Sequence, residues 1–111
     1  MHQVTEKLIQ EMAELIVREV KPSKIILFGS HARGTSRADS DLDFIVVEGG
    51  PFDSHRSRRA AMTRLGNIMF DYFIPIDFLV FTPQEIDKWK DVKNHVIAHA
   101  LQEGRTLYES N

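Results

Sequence analysis

Three acidic side chains and one small-residue turn in this chain have the residue types and the spacing to bind a phosphate group together with its metal ions. Asp41 and Asp43 stand one residue apart at the start of an apolar run, and Gly29-Ser30 ends an earlier apolar run. Because alternate side chains of a strand project from the same face, the first two carboxylates predict a paired acidic site. A turn that exposes backbone N–H groups beside such a pair can hold a polyphosphate and its Mg²⁺ ions.

The third acidic residue, Asp77, interrupts the apolar run at positions 74–81. A buried carboxylate without a partner is costly, so Asp77 needs a cation, an arginine or a strand end that reaches solvent. The residues alone leave these alternatives open. Asp41 and Asp43 have an ordinary alternative too, because aspartates in polar loops often form local turns with their own backbone.

The combination of the three carboxylates favours a metal site. Converging carboxylates repel one another unless cations lie between them. The chain has no cysteine, so disulfides, thiolate metal sites and thiol catalysis are excluded. Oxygen-only ligands favour Mg²⁺ over zinc or copper.

The composition predicts one globular domain spanning residues 1–111. Apolar residues make up 42% of the chain and charged residues 27%, and the formal net charge is −2. These values do not mark a nucleic-acid binder or a membrane-surface protein. No apolar run approaches the ~20 residues of a membrane span, and the N-terminus lacks a signal-peptide pattern. We therefore expect a soluble, cytoplasmic protein.

The periodicity of apolar residues predicts helices alternating with strands. Helices are expected at 4–20, 31–34, 54–70, 83–90 and from a cap at Asp91 to Gly104, and strands at 24–28, 42–47, 74–81 and 105–109. Pro75 is expected at a strand start or at a sheet edge. The order predicts an α+β fold, with a small mixed sheet of three to four strands flanked by helices in an αβαβαβ core.

The pattern also predicts which side chains face the core. In the strand at 42–47, Asp41, Asp43, Ile45 and Val47 should share one face, and Leu42, Phe44 and Val46 the other. The helix at 54–70 should bury Ala61, Met62, Leu65, Ile68 and Met69. The last helix should bury Val92, Val96, Ile97, Ala100 and Leu101.

The acidic and small residues together resemble a known signature. Gly29-Ser30, a gap of ten residues, Asp41-Leu42-Asp43 and the later Asp77 resemble the motif of the polymerase-β-type nucleotidyltransferase superfamily. The fuller segments GSHARG and SDLD are similar to the minimal nucleotidyltransferases, or MNT domains, that pair with HEPN proteins. The resemblance covers nearly the whole chain.

The resemblance implies a function and a role for each residue. Gly29 and Ser30 would bind the triphosphate of ATP. Asp41 and Asp43 would ligate two Mg²⁺ ions, and Asp77 would complete the ligand set of the ion nearer the attacking hydroxyl. AMP would pass to a hydroxyl, expected to be a tyrosine, of a HEPN RNase toxin, and the chain would be the antitoxin. A nucleic acid is not expected as a direct partner.

Two other functions remain open at this point. A non-catalytic antitoxin would neutralise the toxin by binding alone, and a different enzyme of this type would transfer a nucleotide to a small molecule such as an aminoglycoside. The chain has no room for a domain that binds an acceptor, which favours a partner protein. The oligomeric state is left open.

Several basic residues allow both a functional and a structural interpretation. Arg33 is expected either along the triphosphate or in a salt bridge to Asp39 or Asp41. His31 is expected to be a surface or hinge residue. A solvated helix face is favoured over an anion-binding patch for the cluster of Arg56, Arg58, Arg59 and Arg64. His95 and His99 are expected at the surface.

Overall fold

A four-stranded mixed sheet organises the computed structural model, which describes residues 4–36, 40–52 and 57–110. The strands are β1 (Lys24–Phe28), β2 (Leu42–Val47), β3 (Ile76–Phe81) and β4 (Arg105–Glu109). The helices are α1 (Glu6–Val20), α2 (Ser30–Arg33), α3 (Arg58–Met69), α4 (Pro83–Trp89) and α5 (Val96–Glu103), and a 3₁₀ turn spans Phe70–Tyr72.

The sheet has the order β3-β2-β1-β4. Strand β1 is antiparallel to β2 and β4, whereas β2 and β3 are parallel. The α+β fold with a small mixed sheet is therefore confirmed, as are the predicted bounds of β1, β2 and β4. Strand β3 begins two residues later than predicted because Pro75 has no N–H to donate, although its carbonyl accepts from Leu42 N at 2.9 Å.

Helices cover both faces of the sheet. On one face, Leu42, Phe44 and Val46 of β2 pack in a core that α1 and α3 complete. On the other face, Ile45 and Val47 pack with residues of α4 and α5. The predicted alternation of β2 is confirmed. Within the described ranges, no helix has the length and apolar character that crossing a membrane requires.

Helix α3 differs from its prediction at its start and in one buried position. It begins at Arg58 because the Ser57 hydroxyl accepts from Ala60 N at 3.1 Å, and the predicted positions 54–56 lie outside the described residues. Leu65 and Met69 are buried as predicted. Met62 is 42% exposed, so its assignment to the core is wrong: the helix turns this side chain away from the sheet.

Helix α5 also begins later than the sequence indicated. Its cap is His95, whose Nδ1 accepts from Ile97 N at 3.1 Å, and the prediction of a cap at Asp91 is wrong. The His95 ring is half-buried and stacks on Trp89 with 4.5 Å between centroids, so its surface assignment is also wrong. Because the helix starts at Val96, that residue and Val92 stay exposed instead of joining the core.

Arg58 ties α3 to the edge of the sheet. Its Nε donates to the carbonyl of Val80 at 3.0 Å, and its guanidinium pairs with Glu85 and lies 5.1 Å from the centre of the Phe52 ring. Arg58 is exposed, as the prediction of a solvated helix face requires and as Arg59 is, but its guanidinium also makes contacts within the protein that the sequence did not predict. Strand β3 is an edge strand, so among the described residues no further strand pairs with its outer side. The Arg58 side chain instead donates the hydrogen bond that the Val80 carbonyl accepts.

Glu85 is the second half of this contact and part of a capping box. Its carboxylate accepts from Thr82 N at 2.9 Å, and Thr82 Oγ1 accepts from Glu85 N at 3.1 Å, as the sequence of this helix start predicts. Burial raises the pKa of Glu85, but the hydrogen bonds from Thr82 and Arg58 outweigh it and leave the pKa below its usual value.

We expect Arg58→Ala to lower the free energy of unfolding by about 2 kcal/mol, because a charge-assisted hydrogen bond and an ion pair are lost together. Arg59→Ala removes the same charge from an exposed position and should change it by less than about 0.5 kcal/mol. The folded-state pKa of Glu85 is lowered, so the ion pair stabilises above the unfolded pKa and is lost as the pH falls. Urea unfolding should therefore show the difference between the two variants becoming smaller below about pH 4, with the part due to the bond from Arg58 to the Val80 carbonyl remaining.

Candidate functional site

The candidate site lies at the end of the sheet where β1 ends and β2 and β3 begin. Asp43 of β2 is the register partner of Phe28, the last residue of β1, and of Asp77 in β3. Neighbouring strands lie about 4.8 Å apart, so Asp43 and Asp77 stand side by side. Asp41 directly precedes β2, and by strand alternation it shares their face.

The surroundings of Asp43 raise the pKa of its carboxyl group. It is half-buried, and this burial raises its pKa above the ordinary value; the charge of Asp77 and then that of Asp41 raise it further. His31 and Arg33 act in the opposite direction without cancelling the shift. The site therefore places a half-buried carboxylate among two negative and two basic neighbours.

Gly29 connects β1 to this carboxylate. Its φ of 75° lies in the left-handed region, which favours glycine. A Cβ at Gly29 would collide with Oδ2 of Asp43, so the backbone and the carboxylate are in direct contact. The turn can approach Asp43 this closely only because residue 29 has no side chain.

The turn also presents backbone donors. Gly29 is the N-terminal cap of α2, and its carbonyl accepts from the N–H groups of Ala32 and Arg33, both at 3.1 Å. Within the part of the chain that the structure describes, the N–H groups of Ser30 and His31 have no backbone acceptor. Such donors at the first turn of a helix are suited to an anionic oxygen.

His31 has a positioning contact that the sequence did not reveal. Its Nε2 lies 3.2 Å from the carbonyl oxygen of Ser40, and since a carbonyl only accepts, Nε2 carries the proton. This contact joins the turn to the residue that precedes Asp41. The position of His31 after Gly29-Ser30 was the only signal, and it does not specify a partner nine residues away.

Arg33 lies beside the site in an exchangeable ion pair. Its Nη1 is 3.6 Å from Oε2 of Glu103, and both side chains are largely exposed. Among the described residues it does not pair with Asp41, and the alternative partner Asp39 lies outside them. A pair of this length in solvent contributes about 1 kcal/mol or less, so Arg33 can exchange it for a better anion.

The three aspartates of the site offer the type of ligand atom that a hard divalent cation binds. These atoms are carboxylate oxygens, and a cation would relieve the repulsion that raises the pKa of Asp43. Across residues 4–36, 40–52 and 57–110, however, no three acidic or histidine side chains are close enough to enclose a metal ion. Asp41 and Asp77 are exposed, and exposed side chains exchange rotamers readily.

Residues 10–111 match the family model described as "Polymerase beta, Nucleotidyltransferase". A protein of Methanocaldococcus jannaschii named "Putative protein adenylyltransferase" is 30% identical over 105 residues, which are 93% of this chain and 97% of that protein. The family model and this relative both extend over nearly all of the chain.

Solved structures share the fold. The crystal structure of a toxin–antitoxin with AMP-PNP aligns with a TM-score of 0.56 and 18% identity, over 92% of this chain and 74% of the other. A tri-AMPylated HEPN toxin of Shewanella oneidensis in complex with MNT antitoxin aligns with a TM-score of 0.52 and 15% identity, over 96% and 74% of the two chains. At these identities the likeness is one of fold.

Proposed function

This chain belongs to the polymerase-β nucleotidyltransferase family, and we propose that it transfers AMP from ATP to a hydroxyl of a HEPN RNase toxin, whose antitoxin it is. The observation that carries the proposal is the pairing of Asp43 with Asp77 directly against the Gly29 turn. Carboxylates and phosphate-binding donors at one sheet end are what a nucleotide with its cations requires.

The turn and its flanking arginine hold the triphosphate in this proposal. The N–H groups of Ser30 and His31 point to no other backbone acceptor in the described residues, and the Ser30 hydroxyl can add a further donor. Arg33 leaves its 3.6 Å pair with Glu103 for a phosphate oxygen, which accepts a stronger charge-assisted bond.

The carboxylates hold the metal and orient the acceptor. Asp41 and Asp43 would ligate two Mg²⁺ ions, with Asp77 completing the set on the acceptor side. When bound, these ions neutralise the negative charge of the triphosphate and of the reacting oxygens. Asp43 is fixed by its contact with Gly29, whereas exposed Asp41 and Asp77 adjust their rotamers to complete the ligation.

The transfer itself is an in-line displacement at phosphorus. The acceptor hydroxyl oxygen forms a bond to the α-phosphorus, and the bond from that phosphorus to the oxygen bridging to the β-phosphate breaks. Pyrophosphate leaves from the side of the Gly29-Ser30 turn. Asp77 lies on the edge strand, where an acceptor has access, and its carboxylate helps to take the proton of the hydroxyl.

The class of acceptor rests on the relatives. The M. jannaschii relative is named as a protein adenylyltransferase, and the S. oneidensis structure contains an AMPylated HEPN toxin beside an MNT antitoxin. A toxin–antitoxin structure also contains the ATP analogue AMP-PNP. These support ATP as the donor and a HEPN protein as the acceptor. The resemblance in the sequence adds the expectation that the accepting hydroxyl belongs to a tyrosine.

The proposal is tested by incubating the chain with Mg²⁺, α-³²P-labelled ATP and its HEPN partner, which is to be sought as the product of the neighbouring gene. We expect covalent label on the HEPN protein, loss of its RNase activity, and no label when the Asp41→Ala/Asp43→Ala variant is used. Label that persists with this variant would refute the catalytic assignment. Tight binding without label would indicate an antitoxin that acts by binding alone.

A further inference from the structure

Helix α3 and the turn after it expose an apolar face. Met62 is 42% exposed, and Phe70 and Phe73 are 72% and 73% exposed, with 6.1 Å between the centres of their rings. Gly66 lies between Met62 and Phe70, four residues from each. We call these four residues the α3 face. Two adjacent exposed phenylalanines form an apolar patch of the kind that marks an interaction site.

Gly66 leaves open space in the middle of this face. Glycine weakens a helix interior, and no atom of the described chain lies within 4 Å of a Cβ built at this position. Packing inside the protein therefore gives no reason for the glycine. A small residue on an open helix surface allows the backbone of a second helix to approach closely, as ridges pack into grooves.

Phe73 is held in an unfavourable conformation for its type. Its φ of 55° is in the left-handed region, which bulky side chains rarely adopt. Its ring gains little burial in return, since most of it faces solvent. This conformation ends the 3₁₀ turn at Tyr72 and leaves the ring of Phe73 beside that of Phe70.

The charge around the α3 face indicates its partner. Helix α3 contains no acidic residue, although the whole chain has a net charge of −2. Arg59 precedes Met62 by three residues and Gly66 by seven, so it lies on the same side of α3, and it is exposed. Asp71, also exposed, stands between Phe70 and Phe73. The face therefore combines an apolar centre with a border of both charge signs, which a protein surface with its own mixed charges would complement.

The α3 face ends beside the candidate site. Phe73 precedes Asp77 by four residues, so their Cα atoms are at most about 14 Å apart. Strand β3 is an edge strand of the sheet. Asp77 is its second residue, so it lies at the end of the strand that is nearer to Phe73 in the chain. A protein bound on the α3 face can thus extend a segment to the carboxylates.

We propose that the α3 face docks the protein that receives AMP, through a helix of that protein whose apolar side is bordered by charges of both signs. This inference rests on the proposed function for the identity of the docked protein. A nucleic acid fits the face less well, because the centre of the face is apolar and the carboxylate of Asp71 lies within it, where it would repel phosphates. Docking on α3 would bring an acceptor hydroxyl beside the carboxylates of the candidate site.

The test measures binding and transfer separately for two variants, Gly66→Leu and Phe70→Ser, with the same HEPN partner as the probe. Gly66→Leu should keep or improve the helix and yet block a close-packed partner. Each variant should weaken the Kd at least about tenfold and raise the acceptor KM, with ATP binding unchanged. Val92→Ser, which alters an exposed apolar residue outside this face, is the control and should bind as the wild type does.

The outcomes separate this inference from the proposed function. Weakened binding by both variants supports the α3 face even if the wild type transfers no AMP, in which case only the proposed function fails. Normal AMP transfer and normal Kd in both variants overturn the α3 face and leave the proposed function standing. Two further outcomes overturn the proposal for the α3 face. In the first, the wild type self-associates and Gly66→Leu abolishes this while HEPN binding stays intact. In the second, the wild type binds RNA and Phe70→Ser abolishes this while HEPN binding stays intact.

Discussion

Asp43→Asn is expected to reduce AMP transfer by about 10³-fold or more while leaving the fold at least as stable as the wild type. The substitution keeps the size of the side chain and its contact with Gly29 but removes the charge that binds the cations. Asp43 also costs the folded chain stability, because burial and the neighbouring Asp77 and Asp41 disfavour its ionised form. Loss of activity together with equal or greater stability would identify a residue retained for chemistry.

The sign of the pH dependence follows from the raised pKa of Asp43. A carboxyl whose folded pKa lies above its unfolded value weakens the fold once it ionises. The cost is absent below the unfolded pKa, about 4 for aspartate, and is fully present above the folded pKa. We therefore expect the stability advantage of Asp43→Asn to be absent in acid and to grow as the pH rises towards neutrality.

Urea unfolding at a series of pH values, together with label transfer at neutral pH, measures both effects. Asp91→Asn is the matched control because Asp91 is exposed and lies outside the site. It should keep full transfer activity and change the free energy of unfolding by less than about 0.5 kcal/mol. An Asp43→Asn variant that is clearly less stable than the wild type at neutral pH would contradict the electrostatic account.

Gly29→Ala should damage both the fold and the site, whereas Gly34→Ala should affect stability alone. Both glycines have a φ of 75°, but Gly34 with a ψ of 18° is in the left-handed helical region, where another residue is strained by about 1–2 kcal/mol. Gly29 has a ψ of −160°, a combination that essentially only glycine adopts, and only at Gly29 would the new Cβ also collide with Asp43. The difference between the two variants therefore reports the contact with Asp43 together with the stricter backbone conformation of Gly29.

We expect Gly29→Ala to cost about 2–4 kcal/mol of stability in total and to reduce transfer by about 10²-fold, since Asp43 must move away from its fixed position. Gly34→Ala should cost about 1–2 kcal/mol and retain most of the activity of the folded protein. Thermal unfolding and label transfer below both unfolding temperatures provide the comparison. Equal losses of activity in the two variants would show that the contact with Asp43 is unimportant.

Local patterns in the sequence were enough to predict most elements of the fold. The alternation of Leu42 to Val47, the glycine after β1 and the Thr82–Glu85 capping box depend on neighbouring residues, so their predictions were confirmed. The start of α5 was predicted wrongly because the cap comes from His95, whose ring is held by Trp89 in the preceding helix. Asp91 has a suitable side chain but is not where the helix begins.

The sequence by itself determined the inventory of the site: a small-residue turn, two carboxylates two positions apart and a third in an apolar run. Only the tertiary structure decided that Asp77 is the register partner of Asp43 and that Gly29 touches Asp43. It also decided that Arg58 is structural and that Phe70 and Phe73 face solvent. The physical reason is that types and spacings are local properties, whereas register, contact and exposure depend on which distant segments pack together.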